Sequence, residues 1–338
     1  MAVSPARNLE GPALLALLAD GGVHSGERLA GSLGVSRTAV WKAVLRLRAR
    51  GIVVEAVART GYRLPRAVEL LSADAIRGSI GPDRMARLRR LESRFEVDST
   101  NSQLLAAPAP PTGFADAMLA ELQHAGRGRR GREWIAPFGA CIALSLGWSF
   151  ADASRANPAL SLCVGVAVIR ALTRAGAAGI GLKWPNDIWH RDRKVGGILL
   201  EMHAEAGGAA HVVIGVGLNN ALTEAERTAI ELSGVRVAAV ADACIRPPSR
   251  NFLAGAIIDE LLSMLVDFER SGFEGWRDQW LALDVLRDRP VRVLVGGSAT
   301  AGIARGVDLK GALLIERDGG LLEVVSGEVS LRLQEDAS

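Results

Sequence analysis

The chain has 338 residues, 49% of them hydrophobic, with 40 lysines and arginines against 37 aspartates and glutamates and a formal net charge of +3. That length allows two or three domains, and the apolar share suits a soluble protein with a sizeable core. A membrane-spanning protein is excluded, because the longest uncharged apolar run, residues 160–169, stops at Arg170 and is too short to cross a bilayer.

The N-terminus lacks a basic-then-apolar leader pattern. Cys141, Cys163 and Cys244 lie far apart, and the first two sit in apolar runs, so they read as buried reduced thiols of a cytoplasmic protein. Only Lys42, Lys183, Lys194 and Lys310 are lysines among the 40 basic residues. An indifferent surface position would carry arginine here, so each lysine is informative. Charge is uneven as well: residues 1–65 net +5 and the remainder −2. A small basic unit is joined to a near-neutral body.

Residues 12–19 form an apolar helix that ends at Asp20-Gly21-Gly22. Ser25 caps a short helix over 26–33, which Gly34 breaks; Ser36 caps the next, over 37–50. Val40, Val44 and Leu47 fall on one buried face of that helix. Two short helices joined by a tight glycine turn make a helix-turn-helix, followed by a hairpin of residues 53–57 and 62–64, a wing. Ser36, Arg37, Thr38, Trp41, Lys42 and Arg59 are the candidate DNA contacts. The competing reading is a helical protein-interaction module with a basic surface.

In the body, residues 72–80 and 83–90 read as surface helices and 95–97 as a short strand. Asp98-Ser99-Thr100-Asn101 then caps a helix over 102–107. A strand over 115–122 delivers the stretch Gln123 to Trp134, in which Arg127, Arg129, Arg130 and Arg132 interleave with Gly126, Gly128 and Gly131. Glycine lets backbone N–H groups approach an anion, and arginine adds fixed charge and bidentate geometry. The glycines match G-x-G-x-x-G, but no helix follows them, so the stretch is an irregular phosphate loop and no Rossmann fingerprint. A solvated basic loop is the bland alternative.

Residues 140–150 form an apolar strand and 160–175 a long helix. Lys183 opens Lys183-Trp184-Pro185-Asn186-Asp187, in which Asp187 suits a metal ion and Asn186 a phosphate. Lys194 starts a glycine-softened strand, where it can lie against an anionic ligand; a turn pair and a hairpin-tip cation are the plain structural readings of these lysines. Residues 211–216 form a buried strand ending in Gly217-Leu218-Asn219. Residues 221–248 are polar and read as a mobile flap, and 250–269 as a helix. Trp276 and Trp280 belong to the core. Residues 291–333 alternate in short strands separated by Gly296-Gly297, Asp318-Gly319-Gly320 and Ser326-Gly327, a small barrel of about five strands.

Taken in this order, Asp98-Ser99-Thr100-Asn101, the loop of Gly126 to Arg132 with Trp134, Lys183-Trp184-Pro185-Asn186-Asp187, Asp192-Arg193-Lys194 and Gly215-Val216-Gly217-Leu218-Asn219 resemble the bifunctional biotin–protein ligases that also repress biotin synthesis. The resemblance covers nearly the whole chain. It implies an α+β multidomain fold: a winged helix-turn-helix over 1–66, a mixed α/β sheet domain of the biotin/lipoate ligase type over 67–284, and a small SH3-like β-barrel over 285–338. The activity implied is ATP-dependent activation of biotin as biotinyl-5'-AMP, with Mg²⁺, and transfer to a lysine of a biotin carboxyl carrier protein. Implied partners are operator DNA and a second copy of the chain when the adenylate is bound.

By position, the resemblance implies that Ser99, Thr100, Asn101 and Gln123 bond the ureido ring and that Gly217 borders it. Arg127, Gly128 and Arg129 would close over the biotin carboxylate and the adenylate phosphate, and Lys194 would touch the reacting groups. Arg129, Arg132, Trp134, Lys183, Asn186 and Asn219 would serve the nucleotide, and Asp187 the metal. Arg127, Arg129, Lys183 and Lys194 are the candidate catalytic set. No aromatic stands in residues 221–248 to cover adenine, as a tryptophan does in some members. A lipoate–protein ligase and a biotin sensor without ligase activity are the alternatives; polar Ser99, Asn101 and Gln123 favour a ureido ring over a dithiolane.

Overall fold

The computed structural model describes residues 11–204, 210–295, 298–325 and 329–333. Two compact units are present: Met1–Leu71 with Pro137–Gly139, and Ser72–Ala136 with Ala140–Ser338.

In the first unit, α1 (Gly11–Leu18), α2 (Gly26–Leu33) and α3 (Arg37–Ala49) are followed by β1 (Glu55–Val57) and β2 (Gly61–Arg63). The caps expected from sequence form: Ser25 accepts from the Arg28 N–H and Ser36 from the Ala39 N–H, both at 3.1 Å. Gly34 ends α2 at φ 64°, where its N–H turns back to Ala30 and Gly31. Leu14, Leu18, Val40, Val44 and Leu47 make the core. The wing is fixed to the helices at Gly61, where an added Cβ would fall 1.9 Å from the His24 carbonyl oxygen. Glycine alone fits there.

The second unit is built on a seven-stranded sheet in the order β3-β4-β5-β9-β8-β7-β6. The strands are β3 (Leu88–Val97), β4 (Ala115–Gln123), β5 (Cys141–Phe150), β6 (Ile180–Lys183), β7 (Asp187–His190), β8 (Arg193–Ala204) and β9 (Ala210–Asn219). Only β3 and β4 run parallel; the other pairs are antiparallel. Every residue of β5 is buried, so it reads as a continuous apolar run. Trp148 and Phe150 point to α9 (Arg250–Ser271), where Phe150 meets Phe268 edge-on. Ser145, an odd number of residues away, faces α6 (Thr100–Ala106) on the other side. Helices α7 (Leu160–Arg174) and α9 pack together, and Trp276 and Trp280 of α10 (Glu274–Leu283) are buried as expected.

Three expectations need correction. The helix expected over 83–90 is only α5 (Pro82–Met85), after the short α4 (Ala73–Arg77), and β3 begins at Leu88, far ahead of 95. The cause is long-range: Arg89 and Arg90 reach buried Asp116 on β4, Arg89 Nε donating to it at 2.9 Å. Second, Ser99 holds the N-cap position of α6 without a side-chain cap bond, and Thr100 and Asn101 lie inside the helix. Third, residues 221–248, expected as a flap, contain α8 (Glu224–Glu231), whose Thr223 and Glu226 form a reciprocal capping box.

The C-terminal strands β10 (Pro290–Val295), β11 (Ser298–Val307), β12 (Leu313–Arg317), β13 (Gly320–Val324) and β14 (Val329–Leu333) form one antiparallel sheet, ordered β13-β12-β11-β10-β14. The Asp318-Gly319 turn joins β12 to β13 with both residues at positive φ. The turns expected at Gly296-Gly297 and Ser326-Gly327 lie outside the described residues. Trp184 Nε1 donates to the Gly311 carbonyl at 3.0 Å and ties this sheet to the β6–β7 turn. No helix among the described residues is long and apolar enough to cross a membrane.

Candidate functional site

The loop after β4, the start of α6, the β6–β7 turn, the middle of β8 and β9 and the segment after α8 converge on one cleft of about 1670 Å³. Among the described residues, nine cationic side chains line it against three acidic ones. A concave wall of one sign focuses field and concentrates anions.

At one end lies a polar cradle. The Thr100 N–H donates to Gln123 Oε1 at 2.9 Å, and the Thr100 hydroxyl lies 3.2 Å from the same oxygen. Asn101 Nδ2 donates to Glu201 at 2.8 Å. Ser145, fully buried in the middle of β5, reaches both Thr100 and Asn101. Gly215 stands opposite Ser145 across β9, and a Cβ there would lie 2.5 Å from Asn101 Oδ1. Gly217 is covered by the Trp134 indole, whose nearest ring atom would be 2.6 Å from an added Cβ. The Trp134 Nε1 is buried without a hydrogen-bond partner, a donor available to a ligand.

The cationic loop crosses this cradle. Gly126 receives the Trp134 N–H and Gly128 donates to Arg132, so the loop closes on itself around a 3₁₀ turn over Arg129–Gly131. Arg127 donates to Glu201 at 3.1 Å and also to Ser102. Arg129 is half-buried and donates to Asn186 at 3.1 Å. Burial, with Arg130 beside it, lowers its guanidinium from the usual arginine value. An arginine partly stripped of water is primed to take an anion. Arg132 lines the same wall and is exposed.

At the other end, Lys194 Nζ is 2.7 Å from Asp187, and Lys183 Nζ sits 4.0 Å from the centre of the Trp189 ring. Lys183 and Asp187 are register partners across the β6–β7 hairpin, as the plain turn-pair reading had them, yet both face the cleft. Asn186 donates to the Ile198 carbonyl, which holds it at the turn. Asn219 lines the cleft but is buried, and its amide donates to the Ala238 carbonyl at 3.1 Å.

The structure thus brings together all the residues expected to serve biotin, nucleotide and metal. It adds others that the sequence did not single out: Ser145, Glu201, Trp189, Arg289 just before the C-terminal sheet, and Arg292 within it. Arg289 pairs with Asp192 at 2.8 Å and holds that carboxyl below its usual range. A signal existed for Ser145, the one hydroxyl at the centre of an apolar strand. None existed for Arg289, whose segment reads only as barrel.

In the first unit, Ser36, Arg37, Thr38, Trp41, Lys42 and Arg59 are all exposed, Trp41 at 50%. Arg48, on the same helix, is instead consumed in holding the wing through the Val54 carbonyl.

Residues 97–219 match the biotin/lipoate A/B protein ligase family, residues 13–63 an HTH domain, and residues 288–332 the biotin protein ligase C terminal domain. The bifunctional ligase/repressor BirA of Escherichia coli (strain K12) is 40% identical over 95% of this chain and 97% of its own length. The chain belongs to the family of bifunctional biotin ligases and repressors. The Bacillus subtilis (strain 168) member is 32% identical over 91% of this chain and 93% of its own. Among solved structures, the biotin protein ligase from Aquifex aeolicus in complex with biotin and ATP is 25% identical, covers 73% of this chain and all of its own, and superimposes with a TM-score of 0.61. By membership the chain is a ligase joined to a helix-turn-helix repressor domain. The resemblance drawn from the motifs, and the three-part fold class with a small antiparallel C-terminal sheet, stand on these matches.

Proposed function

We propose that the cleft joins biotin to AMP and passes the biotinyl group to a lysine of a biotin carboxyl carrier protein. The observation that carries this reading is the convergence of Arg129, Lys183 and Lys194 on one wall, beside a neutral cradle of amides and hydroxyls. A carboxylate oxygen of biotin attacks the α-phosphorus of ATP, the α–β phosphoanhydride bond breaks, and pyrophosphate leaves with the electron pair. The neutral ε-amine of the carrier lysine then attacks the acyl carbon; the amine loses a proton and AMP departs.

Neither step calls for a protein nucleophile. The first brings an anion to a polyanion, so repulsion and orientation are the obstacles. Arg127 and Arg129 face the carboxylate and the α-phosphate, Lys194 the reacting oxygens, and Lys183 with Asn186 the leaving phosphates. Arg132 and Trp134 border the nucleotide, and Asn219 shapes its site through the main chain it holds.

Asp187 fits Mg²⁺ as a single carboxylate within reach of a nucleotide. Among the described residues no group of three or more His, Cys, Asp or Glu could hold a metal. An ion here would therefore be one held mainly by phosphate oxygens and water, whose contribution is to neutralise phosphate charge.

The same adenylate serves as corepressor in this reading, in a cytoplasmic protein. Beyond its pairing with β7, which ends at Gly197, β8 continues through Met202 with no strand of this chain on that side among the described residues. That free edge supports pairing with a second copy, and two helix-turn-helix units would then read a two-fold operator. ATP–pyrophosphate exchange, driven by biotin and then by lipoate, tests the enzymatic reading. Exchange with biotin alone is expected; exchange with lipoate alone, or with neither, would overturn it.

A further inference from the structure

The cradle has a proton shortage that its neighbours enforce. Asn101 Nδ2 donates to Glu201 at 2.8 Å, and a carboxylate only accepts, so the Asn101 oxygen must face Ser145. At the other end, the Thr100 main-chain N–H donates to Gln123 Oε1 at 2.9 Å, which fixes that oxygen toward Thr100. Both ends are therefore acceptors. Between them stand two hydroxyls, Ser145 Oγ and Thr100 Oγ1, 2.7 Å apart. Three close oxygen contacts run from Asn101 to Ser145, to Thr100 and to Gln123, and two hydroxyl hydrogens serve them. One contact must go without a proton. Ser145, Thr100 and Asn101 are at most 4% exposed, so bulk water does little to relieve it.

A buried chain one hydrogen short favours a ligand that brings a donor. We propose that Glu201 is a specificity-determining residue, a positioning group that locks the Asn101 carboxamide in one orientation and so makes the cradle select a ring carrying N–H groups. The inference rests on the biotin reading above and deepens it. A ureido ring offers two N–H donors, a dithiolane none. Glu201 acts through Asn101 on the head group, while its other oxygen receives Arg127 from the loop.

The test is equilibrium binding to the full chain without ATP. The ligands are biotin and an isosteric analogue in which oxygen replaces both ring N–H groups. Their tails are identical, so the release of Arg127 affects both alike. Wild type should favour biotin by about 100-fold or more, the value of two donors to an acceptor-rich site. Glu201→Gln lets Asn101 turn its amide to Ser145, and the preference should drop to about tenfold or less; in a separate ATP–pyrophosphate exchange assay the biotin KM should rise more than kcat falls. Glu201→Asp keeps an acceptor and should keep most of the preference. Glu201→Met is the second variant should the glutamine protein fail to fold, with the same expectation. An unchanged preference in Gln or Met overturns the proposal. Wild type that binds neither ligand overturns the biotin reading itself, a different failure.

Discussion

The helix-turn-helix unit and the cleft present their functional side chains in opposite ways. On α3, Arg37, Thr38, Trp41 and Lys42 stand exposed on a helix whose other face is core, so each can be altered with little disturbance to its neighbours. In the cleft, three cations lean on polar neighbours: Arg127 on Glu201, Arg129 on the Asn186 carboxamide, Lys194 on Asp187. The first arrangement suits a surface that meets a rigid polyanion from outside. The second suits a site that must exchange internal partners for substrate anions, which holds its cations in place on an excess of positive charge until the ligand arrives.

The largest effect should come where that exchange is blocked. Arg129→Ala or Lys194→Ala is expected to lower adenylate formation about 10²–10³-fold, the range for a single electrostatic stabiliser. Single-turnover release of pyrophosphate measures it, and near-normal release in both variants would remove the contrast between the two regions. Loss of Arg129 should also loosen the loop and let adenylate escape, which biotinylation of random lysines would report.

A smaller and differently shaped loss is expected on the exposed helix. Arg37→Ala or Lys42→Ala should weaken operator binding while leaving pyrophosphate exchange intact. If either side chain meets phosphate, the salt dependence of binding should fall by about one counterion, with the loss uniform across sequences. Gel shifts at several salt concentrations distinguish this from base readout, in which the loss depends on the operator. A drop in ligase activity in these variants would break the comparison from the other side.

The two regions also differ in how far they could be read in advance. Caps, glycine turns and the spacing of Val40, Val44 and Leu47 are local, and the N-terminal helices form where those signals put them. The cleft motifs were legible as residues, since the loop and the Lys183 and Lys194 segments meet as expected. Their partners were not, because register is a long-range property. Glu201 reaches Asn101 only because β8 and α6 meet through the sheet, and Arg289 reaches Asp192 only when the C-terminal sheet is in place. The strand at Leu88 was hidden for the same reason: two charges that suggest a surface helix, Arg89 and Arg90, are explained by Asp116 on the next strand.

The smallest expected effect concerns a group outside either function, where the body meets the C-terminal sheet. Asp284 follows α10 and bridges to Leu182 of β6. One of its oxygens accepts from the Leu286 N–H, and the other is buried without a partner. Burial raises its carboxyl from 3.8 to about 6, against the opposing pull of the Leu286 N–H and Arg287. A raised carboxyl favours the protonated folded state, so its contribution to stability is fully present below 3.8 and lost as pH climbs through about 6. At neutral pH the ionised group therefore costs stability, by about 1–2 kcal/mol after discounting its remaining exposure. Asp284→Asn keeps the bond to Leu286 and removes the charge. Its melting temperature should exceed that of wild type by a few degrees near pH 7.5, and the gap should close toward pH 4.5. An equal gap at both pH values would mean that packing, not ionisation, sets the effect. Such a result would place this junction with the exposed helix, where charge is held at little cost to the fold, rather than with the cleft.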